Sequence, residues 1–294
     1  VEQVRILAVV FAVALLIGFG VGRLVPSDYS SSDFAADDPS STTPPTVPQP
    51  VRVVLAGDSV MAGLVPPVTA ALEATGRVHV NFILTPNILR DPSVRFTWSR
   101  DLAEYDPDLV VMFVGTWEDR SVQIDEGSPT TTVRQDATET SLAPSDPRWG
   151  VRYRQDVVDP WLDLIAAGGA KVLWIGAPPV GDVDRSSFFA ELNAVFESLP
   201  RDRPGVSYLD PTPALGLSGD DFTASLNLPD GTPVRLRQVD GLHLCPTGAQ
   251  LLAEITLDEI SDVLGVPVAT TWQGGTWRQD PGLYPVEGCP EVVP

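Results

Sequence analysis

From Val51 onward the chain alternates short runs of apolar and β-branched residues with longer amphipathic stretches, and this alternation restricts the architecture more than any other feature. The runs predict strands at 51–56 (VRVVLA), 78–84 (VHVNFIL), 108–114 (DLVVMFV), 170–176 (AKVLWIG) and 206–209 (VSYL). Helical spacing falls near 66–75, 98–104, 151–168, 187–198 and 246–263. Strands and helices in turn make βαβ units around a parallel sheet with helices on both faces. Strands buried on both faces read as near-continuous apolar runs, as these do. In such sheets ligands gather beyond the carboxyl ends of the strands. Three segments leave those ends with polar residues: Gly57-Asp58-Ser59, Gly115-Thr116-Trp117-Glu118-Asp119, and Ala177 to Asp182. Residues 120–150, rich in Ser, Thr, Asp and Pro, are expected to loop over the same rim.

Ahead of this domain, residues 6–22 (ILAVVFAVALLIGFGVG) form an uninterrupted apolar run between Arg5 and Arg23. At ~1.5 Å per residue it nearly crosses a ~30 Å hydrocarbon core as a helix. The expectation is a signal-anchor or transmembrane segment over 1–26, or a secretion signal; no small-x-small cleavage site follows closely, which favours the anchor. Residues 27–50 are Ser/Thr/Pro/Asp-rich and read as a disordered tether. The folded domain is expected over 51–265 and a Pro/Gly-rich tail over 266–294. This order predicts an extracytoplasmic domain held at a membrane, or a secreted one if the first segment is cleaved. In an oxidising compartment the two cysteines, Cys245 and Cys289, are expected to pair and pin the tail. A formal charge of −20, from 39 acids against 19 bases, argues against nucleic acid as a partner.

A serine hydroxyl needs a base before it can attack a carbonyl, and histidine suits that task near neutrality. There are two histidines. His79 lies within the second strand run and is expected to be structural or exposed. His243 lies in Asp240-Gly241-Leu242-His243, just before Pro246 and the last helix. A carboxylate three residues upstream on a tight turn can fold back to hold one ring nitrogen and leave the other for a serine. By themselves, Gly57-Asp58-Ser59 also reads as an ordinary turn, and Asp-x-x-His as an ordinary helix-entry loop.

Taken together, Gly-Asp-Ser after the first strand and Asp-x-x-His before the last helix are similar to the first and last blocks of the SGNH (GDSL-type) hydrolases, across roughly residues 51–264. The resemblance implies an α/β, flavodoxin-like three-layer sandwich on a five-stranded parallel sheet. It also implies a serine esterase working through an acyl-serine, with Ser59 as nucleophile, His243 as base and Asp240 as its orienter. Gly57, Asp58 and Gly115 would shape the turns, and the Ser59 amide would face the oxyanion. Cofactors and metal ligands are not implied.

Two blocks depart from the family pattern. No glycine occurs between Gly76 and Gly115, so the second oxyanion donor is expected from LTPNILRDPS (84–93), from Asn87 or a neighbouring amide. Where the family has Gly-x-Asn-Asp, this chain reads Gly115-Thr116-Trp117-Glu118-Asp119; Trp117 takes the asparagine's place, with Glu118 beside it on the substrate side. The tryptophan and the preceding membrane segment also resemble SGNH domains attached to bacterial envelope acyltransferases. That implies an acylated small molecule or glycan as substrate and a membrane acyltransferase as possible partner. Trp98, Trp117 and Trp149 either pack in core and rim or stack on sugar. Acyl transfer by the same triad, a non-catalytic glycan- or partner-binding domain, a metal site using Asp58, Glu118, Asp119 and His243, and a tethered scaffold are the alternatives.

Overall fold

The structure, a computed structural model, describes residues 49–115, 118, 122–124, 140–217 and 221–290. The expected anchor over 1–26, the linker up to residue 48, and Thr116, Trp117 and Asp119 lie outside these. Five strands, β1 (Val51–Gly57), β2 (Val78–Leu84), β3 (Leu109–Phe113), β4 (Lys171–Ile175) and β5 (Val206–Leu209), form one parallel sheet in the order β2-β1-β3-β4-β5. This is the flavodoxin-like order, and every expected strand is present.

Side chains on the central strands part by the strand period of two. Val53, Leu55, Val111, Phe113, Leu173 and Ile175 face one layer; Val54, Ala56, Val110, Met112, Val172 and Trp174 face the other. The first layer comprises α2 (Val65–Glu73) and α7 (Pro246–Leu264), through Val68, Leu72, Leu252 and Leu257. The second holds α3 (Pro92–Tyr105), α4 (Trp149–Tyr153), α5 (Asp159–Ala167) and α6 (Val183–Ser198). Trp98 and Trp149 are each 1% exposed within this second core, so they pack there and offer no surface to a sugar. The outer strands differ from the sequence reading: β2 is an edge, exposing His79, Asn81 and Phe82. On its open side Glu73 accepts from the Val80 amide at 3.3 Å, which partly blunts the edge.

Helix boundaries follow local chemistry. Asp91 caps α3 by accepting from Ser93 N, and Pro92 occupies its first turn, so the helix starts six residues before the apolar spacing suggests. Asp182 caps α6 in the same way through Arg185 N. The expected single helix over 151–168 is α4 and α5 joined by a π turn, Arg154–Val158. Pro160 accounts for it: the ring displaces the carbonyl one turn earlier and removes a donor, and a wide turn relieves both. Within 120–150, Val122–Ile124 pairs antiparallel with Thr140–Leu142.

The tail is more than a pinned appendage. Trp272, Trp277 and Tyr284 are buried in the α2/α7 core, and Tyr284 donates to the Gly63 carbonyl. Cys245 and Cys289 are bonded, with a sequence separation of 44. Closing a loop of that length removes denatured-state entropy worth about 2–4 kcal/mol. Replacing both cysteines by serine is expected to lower the stability by about that amount in chemical denaturation, and an unchanged urea midpoint would show that core packing alone holds the tail.

Candidate active site

β1 and β3 are neighbours, while the chain leaves them toward opposite sides of the sheet, so a crevice opens between their carboxyl ends. Gly57 ends β1 there. A Cβ on it would lie 2.1 Å from the Phe113 carbonyl oxygen and 2.6 Å from the Met61 Cβ, so no other residue fits. Asp58 follows, 3% exposed; its Oδ1 accepts from Val60 N at 3.0 Å and its Oδ2 from Gly115 N at 3.4 Å. Asp58 thereby caps the one-turn helix α1 (Ser59–Ala62) and ties it to the end of β3. Ser59 is exposed at the first position of that helix, where its own amide N–H has no intrahelical acceptor.

His243 comes from the far end of the chain, on the loop entering α7. Its Nε2 lies 2.9 Å from Ser59 Oγ, and its Nδ1 lies 2.6 Å from Asp240 Oδ2. Asp240 Oδ1 accepts from the amides of Leu242 at 2.9 Å and His243 at 3.1 Å, which fixes the turn that presents the ring. Gly241 takes φ +69 and packs so closely on Gly181 that a Cβ would meet its Cα at 3.0 Å. Partial burial raises the Asp240 pKa, but the hydrogen bonds from the His243 ring and from the two amides outweigh it and leave it below the ordinary carboxylate value. With Nδ1–H directed at Asp240, Nε2 is left as the acceptor for the serine proton. The three expected residues thus form one chain of hydrogen bonds within the range for proton transfer.

Sequence reasoning missed the residue that holds this loop. Arg237 is 2% exposed and donates from Nη1 to the Leu242 carbonyl at 2.8 Å and from Nη2 to the Pro179 carbonyl at 3.2 Å. It fastens the turn before His243 to the segment leaving β4. Burial pulls its pKa down to about 10, opposed by the nearby Asp240 charge. An arginine amid polar residues carries no signal in the chain; only burial distinguishes it.

Of the two altered blocks, Asn87 and Glu118 are placed. Glu118, expected on the substrate side, is instead 1% exposed. It accepts from Arg90 Nε at 2.9 Å and from the Tyr153 hydroxyl at 2.7 Å, and Arg90 Nη2 donates to its carbonyl at 2.9 Å. Burial raises the pKa of Glu118, with Arg90 and Tyr153 opposing. A buried acceptor has nothing to donate to an oxyanion, so Glu118 joins loops rather than meeting substrate. Asn87 has φ +58, a left-handed conformation that asparagine tolerates. Its side-chain Oδ1 is buried without a hydrogen-bond partner among the described residues. Its loop is tied to β1 by Thr85 N donating to the Gly57 carbonyl at 2.9 Å. Trp117 lies outside the described residues. Among the described residues, no group of three or more His, Cys, Asp or Glu side chains is arranged to hold a metal, and no helix is long and apolar enough to cross a membrane.

Two measurements check this geometry. The lowered folded pKa of Asp240 contributes stability above the ordinary carboxylate range that is lost as pH falls through the folded value. The stability advantage of wild type over Asp240→Asn is therefore expected to shrink between about pH 5 and pH 2; an advantage constant across that window contradicts it. Arg237→Ala strands two buried carbonyls and is expected to cost about 2–4 kcal/mol in urea unfolding, and a loss under about 1 kcal/mol would mean the loop stands without it.

Similarity to known proteins is confined to one family and to remote structural likeness. No curated protein matches the chain. Among solved structures, TesA is 16% identical, with 72% of this chain and 99% of that one covered and a TM-score of 0.42. A family two carbohydrate esterase from Clostridium thermocellum is 13% identical, with 75% and 67% covered and a TM-score of 0.41. Axe2, an acetyl-xylooligosaccharide esterase from Geobacillus Stearmophilus, is 12% identical, with 72% and 94% covered and a TM-score of 0.43. Residues 52–259 match the family described as "Protein of unknown function (DUF459)", which spans the sheet, Ser59, Asp240 and His243, and the chain belongs to that family.

Proposed function

We propose that this protein is a serine esterase acting through an acyl-serine intermediate, with Ser59 as nucleophile, His243 as general base and Asp240 as its orienter. The observation that carries the reading is the continuous contact of Ser59 Oγ with His243 Nε2 at 2.9 Å and of His243 Nδ1 with Asp240 Oδ2 at 2.6 Å. These groups come from opposite ends of the domain, 184 residues apart, and converge at the crevice where an α/β sheet takes its ligand.

The reaction follows from the contacts. Ser59 Oγ attacks the ester carbonyl as its proton passes to His243 Nε2, and Asp240 stabilises the imidazolium that forms. The carbonyl π electrons move onto oxygen, where the Ser59 amide is one donor and Asn87 or a neighbouring amide of its loop is the second. Collapse expels the alcohol, which takes the proton from His243. Water then repeats the sequence on the acyl-serine and releases the acid. The substrates are O-acyl groups on cell-envelope glycans or related esters, and the domain works outside the cytoplasm, tethered through its N-terminal segment. The expected apolar anchor at residues 6–22 and the Cys245–Cys289 bond support that location.

The test is a fluorophosphonate probe on the full chain, beside Ser59→Ala and His243→Ala. Wild type is expected to label on Ser59 and to hydrolyse p-nitrophenyl acetate, with losses of at least about 10³-fold in either variant. Labelling that survives Ser59→Ala, or a wild-type chain that neither labels nor turns over any ester, would overturn the assignment. Adding an oligosaccharide acceptor separates transfer from hydrolysis by the product formed.

A further inference from the structure

We propose that Gln238 is a positioning residue for His243, coupling the turn that carries the imidazole to the C-terminal tail; this rests on the esterase reading above. Gln238 stands where that turn begins. Its N–H donates to the His243 carbonyl at 2.8 Å, and its carbonyl accepts from Gly241 N at 2.9 Å. Cys245 N donates to the Leu236 carbonyl at 2.8 Å, and Arg237 and Leu244 form an antiparallel bridge, so residues 236–245 make a narrow hairpin closed around Asp240 and His243. The side chain adds what the backbone does not. A primary amide carries two N–H groups on one nitrogen, and Gln238 Nε2 uses them on two segments. It donates to the Leu244 carbonyl, directly after His243, at 3.2 Å and to the Leu283 carbonyl, in the tail, at 2.9 Å.

The tail meets this amide closely. A Cβ on Gly288 would lie 2.9 Å from Gln238 Oε1 and 2.9 Å from Pro285 Cγ, so a side chain there would displace the Gln238 amide. Gly288 is not in the left-handed region, so the contact rather than the backbone conformation calls for a glycine. The Gly288 carbonyl also accepts from Val239 N at 2.9 Å. The tail is itself anchored on both sides of the site, because Tyr284 donates to the Gly63 carbonyl just past α1 and Cys289 is bonded to Cys245. The place of the imidazole therefore depends on a body outside its own loop. Proton transfer needs heavy-atom separations of about 2.6–3.2 Å, and a misplacement of about 1 Å costs about 10²-fold in rate. A shift of the tail reaches His243 through the Gln238 side chain.

The experiment compares full chains of wild type, Gln238→Ala, Gly288→Ala and the double variant, with melting curves confirming that each is folded at the assay temperature. On p-nitrophenyl acetate either single change is expected to lower kcat at least about fivefold while KM stays within about twofold, since misplacing the imidazole acts on the chemical step. Gly288→Ala acts by pushing on the Gln238 amide, so it is expected to cost little more in the Gln238→Ala background; two independent losses would instead multiply. Histidine labelled with 15N gives a readout that needs no substrate. The His243 Nδ1–H held by Asp240 is expected as a downfield proton signal in wild type, identified by its loss in His243→Ala, and is expected to broaden in either single variant. An unchanged kcat, an unbroadened signal or single losses that multiply in the double variant would overturn the positioning assignment and leave the esterase reading intact. A wild-type chain that neither turns over ester nor labels overturns the esterase reading, and the His243 signal then still decides whether Gln238 holds the ring.

Discussion

The carboxylate of Asp58 sits almost fully buried in the split between β1 and β3, and its two oxygens bind the amides of Val60 and Gly115. Without an acceptor at this point, two backbone donors would face the interior unpaired. With it, the helix bearing Ser59 and the end of the adjacent strand become one rigid piece. Gly57 makes the arrangement possible, because only a residue without a Cβ passes beneath the Phe113 carbonyl. Ser59 is therefore placed by the backbone of two strands, and its own side chain stays free to meet His243.

The histidine is held differently. His243 lies on a loop, and loops move unless their backbone polar groups are fastened. Here they are fastened on several sides. Arg237 takes the Leu242 carbonyl from beneath, Gly181 N donates to the Gly241 carbonyl at 3.0 Å, and Gln238 N donates to the carbonyl of His243 itself at 2.8 Å. The tail adds a further hold: Val239 N donates to the Gly288 carbonyl at 2.9 Å, Gln238 Nε2 donates to the Leu283 carbonyl at 2.9 Å, and Cys289 is bonded to Cys245 two residues after the histidine. Because Tyr284 of the same tail donates to Gly63, just past the serine's helix, the tail braces both halves of the hydrogen-bonded chain. Hydrogen bonding to the ionised form keeps Asp240 an anion in spite of partial burial, which is the state a charge-bearing imidazole beside it needs.

The strands and the five main helical regions were legible from the sequence because each rests on local pattern, whereas the flavodoxin-like order and the joining of Ser59 to Asp240 and His243 came from the family resemblance. Period-two burial writes β1, β3 and β4 as apolar runs, and Asp-x-x-His is a turn whose geometry is local. What was illegible depends on contacts between distant segments. Whether a strand is central or at an edge is a property of pairing, so β2 read like its neighbours. Arg237 is recognisable only once Leu242 and Pro179 stand around it. Glu118 illustrates the same limit: its position after a strand end suggested a solvent-facing side chain, while Arg90 and Tyr153, from two other elements, draw it inside. The break between α4 and α5 was present in the sequence as Pro160, but the apolar spacing on either side is continuous and conceals it.

The buried Arg90, Glu118 and Tyr153 cluster bears on how a site with altered blocks keeps its shape. Glu118 follows β3, Arg90 lies on the loop after β2, and Tyr153 ends α4, so one carboxylate joins three segments around the crevice. A buried ion pair brings little net stability, since desolvation offsets most of the attraction. Its consequence is directional: Arg90 engages both the side chain and the carbonyl of Glu118, and this fork fixes two loops in register. The loop carrying Asn87 is one of the two, and its turn is closed by the Arg90 and Asp91 amides, which both donate to the Asn87 carbonyl at 3.2 Å. Asn87 is thus held in a left-handed conformation with an amide oxygen that finds no hydrogen-bond partner among the described residues. Such a group is costly to bury unless something completes it. That oxygen accepts and cannot donate, so the proposed reading needs the amide nitrogen of Asn87, or a neighbouring backbone N–H of the same loop, at an oxyanion.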